Sequence, residues 1–187
     1  MELILSLFIG IGLSAACGFR VFVPLLITSL AASSGHVNLG SNFHWLATNT
    51  AIVTFSIATF LEVLAYFIPF VDNILDHIAA PAAVIAGTVI TASIGYQLDP
   101  YMKWTLAVIA GGGSAAIVHS ATTLTRLAST TATFGTGNFI IATLEIIAAV
   151  VTSITAIFMP SLVIILILIF AYILFKRYNK KSLKLKA

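Results

Sequence analysis

Six apolar runs fill almost all of this 187-residue sequence, and only polar turns and a few isolated charges separate them. A membrane-spanning helix needs about 20 apolar residues, so runs of this length and number are typical of a helical membrane bundle. The composition agrees, because 60% of the residues are hydrophobic and 8% are charged, whereas a soluble domain carries roughly 25% charged residues. The sequence therefore predicts an all-α integral membrane protein of about six transmembrane helices.

The first apolar run, residues 3–34, is too long for one straight helix. It contains Gly18, Arg20 and Pro24, and a proline inside a helix removes a backbone donor and kinks or breaks it. We therefore expect a broken or kinked first helix. The remaining predicted spans cover residues 50–69, 78–96, about 103–126, 139–159 and 161–175.

Isolated ionisable residues interrupt the apolar runs. A charged side chain in hydrocarbon costs at least about 2.5–3.5 kcal/mol, so it persists only with a partner or water. Two ion pairs are possible within the halves of the chain, Arg20 with Glu62 and Arg126 with Glu145, and pairing across the halves is equally open. Such pairs either hold helices in register or break and re-form as a substrate or proton moves. With His119, which is either a packing residue or part of a proton path, they are the candidates for substrate binding or coupling.

Two similar stretches suggest an internal repeat. Residues 9–16 and 110–116 are both rich in glycine, serine and alanine, each precedes an arginine, and each half has a glutamate in its second span. Duplication of three spans inverts the second copy, as in many secondary transporters. We therefore predict one transmembrane domain, residues 1–175, built from two inverted three-helix repeats, 1–98 and 99–175. The alternative is that small-residue patches arose independently in a tightly packed bundle.

Small residues at helical spacing favour close helix packing, within the chain or between the two chains of a homodimer. A substrate path lined by backbone is the alternative interpretation. The residues concerned are Gly10, Gly12, Ser14, Gly18, Gly112 and Ala116.

Residues 71–77 predict a short acidic link before the third span, with Pro81 in the first turn of the helix that follows. Asp72, Asp76 and His77 are weak candidates for a metal site, since two carboxylates and an imidazole are few ligands for a cation. Helix capping and solvation of the loop explain them as well. We expect neither a metal nor a cofactor.

The segment 176–187 is a basic tail that holds six of the nine lysines and arginines. By the positive-inside rule it lies in the cytoplasm, and an even number of spans puts the N-terminus there too. Such a tail either anchors the topology or binds anionic lipid headgroups.

The sequence contains no zinc-protease helix, nucleotide-binding loop or nucleophile elbow, and no exposed basic and aromatic pattern suited to nucleic acid. We therefore expect a protein that is not an enzyme, most simply a transporter of a small or anionic solute. One alternative is a structural or assembly protein whose ion pairs only hold helices together. Another is a lipid-modifying membrane enzyme that uses Asp72, Asp76 and His77.

Four stretches carry a resemblance to a known family: GIGLSAACGFRVFVPLL at 10–26, LEVLAYFIPFVDNILD at 61–76, APAAVIAGT at 80–88 and WTLAVIAGGG at 104–113. They resemble the bacterial membrane family named domain of unknown function 4126. The resemblance spans nearly the whole chain and implies a small bacterial multispan protein. We expect it to reside in the inner membrane. It implies no activity and no catalytic residue.

Overall fold

The structure, a computed structural model, describes residues 2–66, 69–94, 98–133 and 137–169 with Tyr172 and Lys176, and for residues 69–77 it describes the backbone. Within these ranges the chain is helical, and no strand occurs beyond an isolated antiparallel bridge between Leu39 and Ile94. The α-helices are α1 (Glu2–Cys17), α2 (Phe22–Ser33), α3 (Asn49–Tyr66), α4 (Pro69–Ser93), α5 (Pro100–Leu106), α6 (Gly113–Thr133), α7 (Asn138–Phe158) and α8 (Pro160–Ile169).

Two shorter helical segments also occur in the described part of the chain. A 3₁₀-helix, Ser41–Ala47, lies between α2 and α3. A π-helical segment, Ala107–Gly112, joins α5 to α6, so that one continuous helix runs over Pro100–Thr133. This π-helical segment was not predicted from the sequence.

Three helices in the described part of the chain are long and apolar enough to cross a membrane: Asn49–Tyr66, Pro100–Thr133 and Asn138–Phe158. Shorter apolar helices accompany them: Glu2–Cys17, Phe22–Ser33, Ile78–Ser93 and Pro160–Ile169. The all-α membrane class is therefore supported by the structure. The count of six spans and the inverted repeat stay predictions.

The expected interruption of the first apolar run is present. Helix α1 ends at Cys17 and α2 begins at Phe22. Pro24 is the third residue of α2, where its missing N–H removes no intrahelical hydrogen bond. In a helix that continued from α1 its ring would clash with the carbonyl of residue 20, so the proline agrees with a break at residues 18–21.

Two predicted loops are wrong. The acidic segment 71–77 is helical and belongs to α4, so Pro81 lies inside that helix rather than in its first turn. The apolar residues of the segment recur three and four positions apart, which is helical spacing. The loop between the predicted spans 103–126 and 139–159 is wrong in its first part, because α6 continues past Arg126 to Thr133.

Helix α1 occupies the centre of the bundle and packs against α4, α6 and α7. The core contains Leu13 and Cys17 of α1, Ile90 of α4, Ala115 of α6 and Ala156 of α7. Helix α3 lies at the periphery and exposes apolar side chains, as a lipid-facing helix does. The C-terminal end of α1, where the helix is interrupted, therefore lies among the other helices.

Candidate functional site

The break between α1 and α2 places Arg20 inside the bundle. After α1, Gly18 and Arg20 still donate backbone hydrogen bonds to Ala15 and Ala16, over 3.0 and 3.3 Å. Gly18 is needed here because α6 passes so close that a β-carbon at this position would lie 2.6 Å from the carbonyl oxygen of Ala115. Arg20 is consequently 1% exposed.

Glu145 of α7 binds two arginines at once. Arg126 of α6 donates from Nε to Glu145 Oε1 over 2.9 Å and from Nη2 to Oε2. Arg20 Nη2 lies 3.1 Å from the same Oε2 and also donates to the backbone oxygen of Ala142 over 3.2 Å. Arg126 and Glu145 are each 5% exposed. One carboxylate therefore joins an arginine from each half of the chain.

Tyr66, at the end of α3, packs against both guanidinium groups. Its ring centroid lies 3.6 Å from Cζ of Arg20 and 4.4 Å from Cζ of Arg126. The face of an aromatic ring attracts a cation, and more strongly where water is excluded. We call these four residues (Arg20, Tyr66, Arg126 and Glu145) the arginine cluster.

Glu62 of α3 binds the backbone of the break. Its carboxylate accepts hydrogen bonds from the N–H groups of Val21 and Phe22, over 2.8 and 3.0 Å. The first N–H groups of a helix have no intrahelical acceptor and carry the positive end of the helix dipole, so a carboxylate stabilises them. Glu62 therefore caps α2 from a distant helix.

The donors of Arg20 are not all satisfied by the described part of the chain. Among the described residues its buried Nε and Nη1 have no hydrogen-bond partner. A buried unsatisfied donor costs about 1–3 kcal/mol, and more on a charged group. Within this part of the chain the arginine cluster is therefore incompletely hydrogen-bonded.

His119 lies on α6, seven residues before Arg126, and residues at this spacing share one face of a helix. It is partly buried, and its Nε2 lies 3.4 Å from the hydroxyl of Thr123. Its backbone lies against the break, since a β-carbon at Gly18 would approach its N to 2.8 Å. His119 therefore neighbours the break, and its predicted coupling role stays a prediction.

The weak metal candidates are not placed by the structure, because the side chains of Asp72, Asp76 and His77 lie outside the described residues. Among those it does describe, no group of three or more histidine, cysteine, aspartate or glutamate side chains is close enough to hold a metal ion.

Several small residues lie at close helix contacts. A β-carbon at Gly12 would lie 2.7 Å from Cβ of Ala156, and one at Gly112 would lie 2.8 Å from the hydroxyl of Thr88. Gly10 lies against Thr91, where a β-carbon would be 3.2 Å from the α-carbon. These contacts are within the chain. The predicted packing surface also includes Ser14, whose hydroxyl contacts α4, and the partly buried Ala116.

Sequence reasoning missed three residues of this region. Tyr66 was not a candidate, although it stands one helical turn after Glu62 and so shares its helix face. Gly87 and Gly111 were not singled out either, yet a β-carbon at Gly111 would lie 2.8 Å from the carbonyl oxygen of Gly87. Glycine in the middle of an apolar helix was the available signal for both.

Comparison with known proteins identifies a family. The sequence model of a family described as "Domain of unknown function (DUF4126)" matches residues 7–180, in agreement with the resemblance of the four stretches. No curated protein and no solved structure matches the chain. Because the matched region includes most of α1, all of α2 to α8 and every residue of the arginine cluster, the chain belongs to the family DUF4126.

Proposed function

We propose that this protein is a membrane carrier for a small anionic solute, and that the arginine cluster is the point where the anion binds. The observation that carries the proposal is the pair of unsatisfied, buried donors on Arg20. Guanidinium groups recognise carboxylates and phosphates through parallel hydrogen bonds. An anion at Nε and Nη1 would satisfy donors for which the described residues supply no acceptor.

Glu145 then acts as a carboxylate that competes with the solute. It is held by both arginines, so an entering anion would take over part of the contact between Arg20 and Glu145. A charge pair that can exchange partners suits a carrier, which has to release its solute as well as bind it. In this conformation the cluster is closed to solvent.

A structural role is the second candidate, and a specific observation favours it. Glu145 bridges two arginines and Glu62 caps α2, so each carboxylate already holds helices together. Charged groups inside a membrane bundle commonly pair in this way. In this case no solute is carried, and loss of either carboxylate only lowers stability.

We also propose that the protein resides in the bacterial inner membrane with both termini in the cytoplasm. The support is the basic character of segment 176–187, which the positive-inside rule places on the cytoplasmic side. The carrier proposal involves no catalytic step and no cofactor.

Flux through proteoliposomes tests the carrier. Purified protein is reconstituted, and counterflow of labelled acetate, lactate, phosphate and sulfate is measured for the wild type and for Arg20→Lys. We expect counterflow of at least one anion and a loss of about tenfold or more in Arg20→Lys, which keeps the charge but loses the planar donor set. Lys176→Gln, which removes an exposed charge, serves as the control and should retain full flux.

The carrier and the structural role predict different results in this flux assay. If the folded wild type moves none of the four anions, the carrier is wrong and the structural role is favoured. If Arg20→Lys elutes as a single species and transports at the wild-type rate, the arginine cluster is not the binding point.

A further inference from the structure

A second polar site lies away from the arginine cluster, where the loop after α2 meets the start of α5. It is a cavity of about 570 Å³ whose wall includes Asn38, Gly40, Asn42, Phe43, Lys103 and Trp104. Pockets for small ligands typically measure about 300–1,000 Å³. The cavity is therefore large enough for a small solute or a lipid headgroup.

The loop that forms one wall is fixed by backbone hydrogen bonds. Leu39 forms an antiparallel bridge with Ile94 at the end of α4. The N–H of Gly40 donates to the carbonyl of Ser93 over 2.8 Å, and the N–H of Phe43 donates to Gly40 over 2.8 Å. The cavity wall is thus held in place without a ligand, which lowers the ordering cost of binding.

Lys103 supplies positive charge to this cavity. Its Nζ lies 4.9 Å from the ring centroid of Phe43, and among the described residues it forms no ion pair with a carboxylate. The carboxylate nearest in sequence, Asp99, accepts hydrogen bonds from the N–H groups of Tyr101 and Met102 as the N-cap of α5. The ammonium group is therefore left to interact with an anion.

Gly40 leaves the space that the ammonium group occupies. A β-carbon at this position would lie 3.1 Å from Nζ of Lys103, closer than most real contacts of a β-carbon. Gly40 and Lys103 therefore fit together as two parts of one site.

The chemistry of the wall indicates the ligand. An ammonium group and the side-chain amides of Asn38 and Asn42 can all donate hydrogen bonds to oxygen. Trp104 is half exposed beside them, and tryptophan is enriched at the membrane–water interface. We propose that this cavity binds a phosphate group at the membrane surface, carried either by an anionic lipid headgroup or by a small phosphate solute. The site is independent of the proposed carrier function.

Tryptophan fluorescence tests the proposal, because the sequence has two tryptophans and Trp45→Phe leaves Trp104 as the reporter. The protein in phosphatidylcholine nanodiscs is titrated with inorganic phosphate, with dihexanoyl phosphatidylglycerol and, as a control lipid, with dihexanoyl phosphatidylcholine. We expect a saturable change with phosphate or with phosphatidylglycerol and none with phosphatidylcholine. Saturation by phosphate identifies a free solute as sufficient, and saturation by phosphatidylglycerol alone identifies a lipid headgroup.

Variants in the same background show where the ligand binds. Lys103→Gln should weaken binding about tenfold, which corresponds to one lost charged hydrogen bond, whereas Lys103→Arg should retain it. Asn42→Ala leaves the lysine in place but removes an amide from the cavity wall, and should weaken binding several-fold. Glu2→Gln changes a charge at the exposed start of α1, outside the cavity wall, and should have no effect.

Two results would overturn the proposal: the absence of any saturable response to both phosphate ligands, or equal affinity in the wild type and in folded Lys103→Gln. If Lys103→Gln does not fold, Asn42→Ala is the deciding variant, and unchanged affinity in that variant overturns the proposal.

Discussion

The two halves of the chain use a glutamate in different ways. In the first half the helix breaks before α2, and Glu62 accepts hydrogen bonds from the backbone N–H groups that the break exposes. In the second half the helix continues through the π-helical segment into α6, and Glu145 binds the side chain of Arg126. A helix interior has no free N–H groups, because each bonds to a carbonyl within the helix. The continuity of the backbone thus decides what a nearby carboxylate binds.

This difference links the halves. Glu62 binds the backbone N–H groups at the start of α2. Arg20 binds Glu145, which also binds Arg126. The result is a cluster in which two guanidinium groups share one carboxylate and one aromatic ring. The two glutamates are consequently not equivalent, and their removal should have unequal effects.

Glu145→Gln should have the largest effect, because it leaves two buried arginines without their shared negative charge. Removing one partner of a buried ion pair costs about 3–5 kcal/mol. The measurement is the free energy of unfolding in mixed micelles titrated with a denaturing detergent. Glu2→Gln, at the exposed start of α1, is the control and should be nearly neutral. If Glu145→Gln lowers the free energy of unfolding no more than Glu62→Gln does, the two glutamates are equivalent and this interpretation is wrong.

Gly18→Ala should cause the second-largest loss in the free energy of unfolding. The added β-carbon would lie 2.6 Å from both the carbonyl oxygen of Ala115 and Cβ of Val118, so α6 must move away from the break. Such overpacking costs about 1–3 kcal/mol. The neighbouring Cys17 is buried and should resist a membrane-impermeant thiol reagent in the wild type. Faster labelling in Gly18→Ala would report the loosened contact, and unchanged stability and labelling would show that α6 does not fix the break.

Glu62→Gln should have a smaller effect of about 1 kcal/mol, as is usual for a helix cap. The amide keeps one acceptor oxygen but loses the second oxygen and the negative charge. Hydrogen exchange followed by mass spectrometry should show faster exchange at Val21 and Phe22, with α6 unchanged. Equal acceleration around Arg126 would mean that Glu62 supports the arginine cluster as well as α2.

Gly113→Ala should change the free energy of unfolding least, and should raise it where the other variants lower it. Among the described residues outside its own helix backbone, no atom lies within 4 Å of a β-carbon at this position, so alanine adds no contact there that must relax. Replacement of a glycine within a helix by alanine stabilises by up to about 1 kcal/mol. The same unfolding assay measures it, as a matched control for Gly18→Ala. Destabilisation would show that the start of α6 needs the freedom of glycine.

Parts of the site were predictable because they depend on local patterns. Arg20, Glu62, Arg126 and Glu145 stand out as charges in apolar runs, since their desolvation requires partners. The break in the first run was also predictable, because Gly18, Arg20 and Pro24 lie close together in it. The close approach of α6 to Gly18 was not predictable, because it has no local signal. Tyr66 was missed for a similar reason, because only the fold brings its ring to two distant arginines.

By itself, the sequence determined the class of the protein, its family and the residue types that have to be buried, because hydropathy and helical period act over short stretches of chain. Only the tertiary structure decided which charged side chains pair with each other. Arg20 and Glu145 are 125 positions apart, and they meet because α1 ends in the middle of the bundle beside α6 and α7. Ion pairs of this kind depend on how helices cross, and the crossing is set by the packing of small residues along the whole length of each helix.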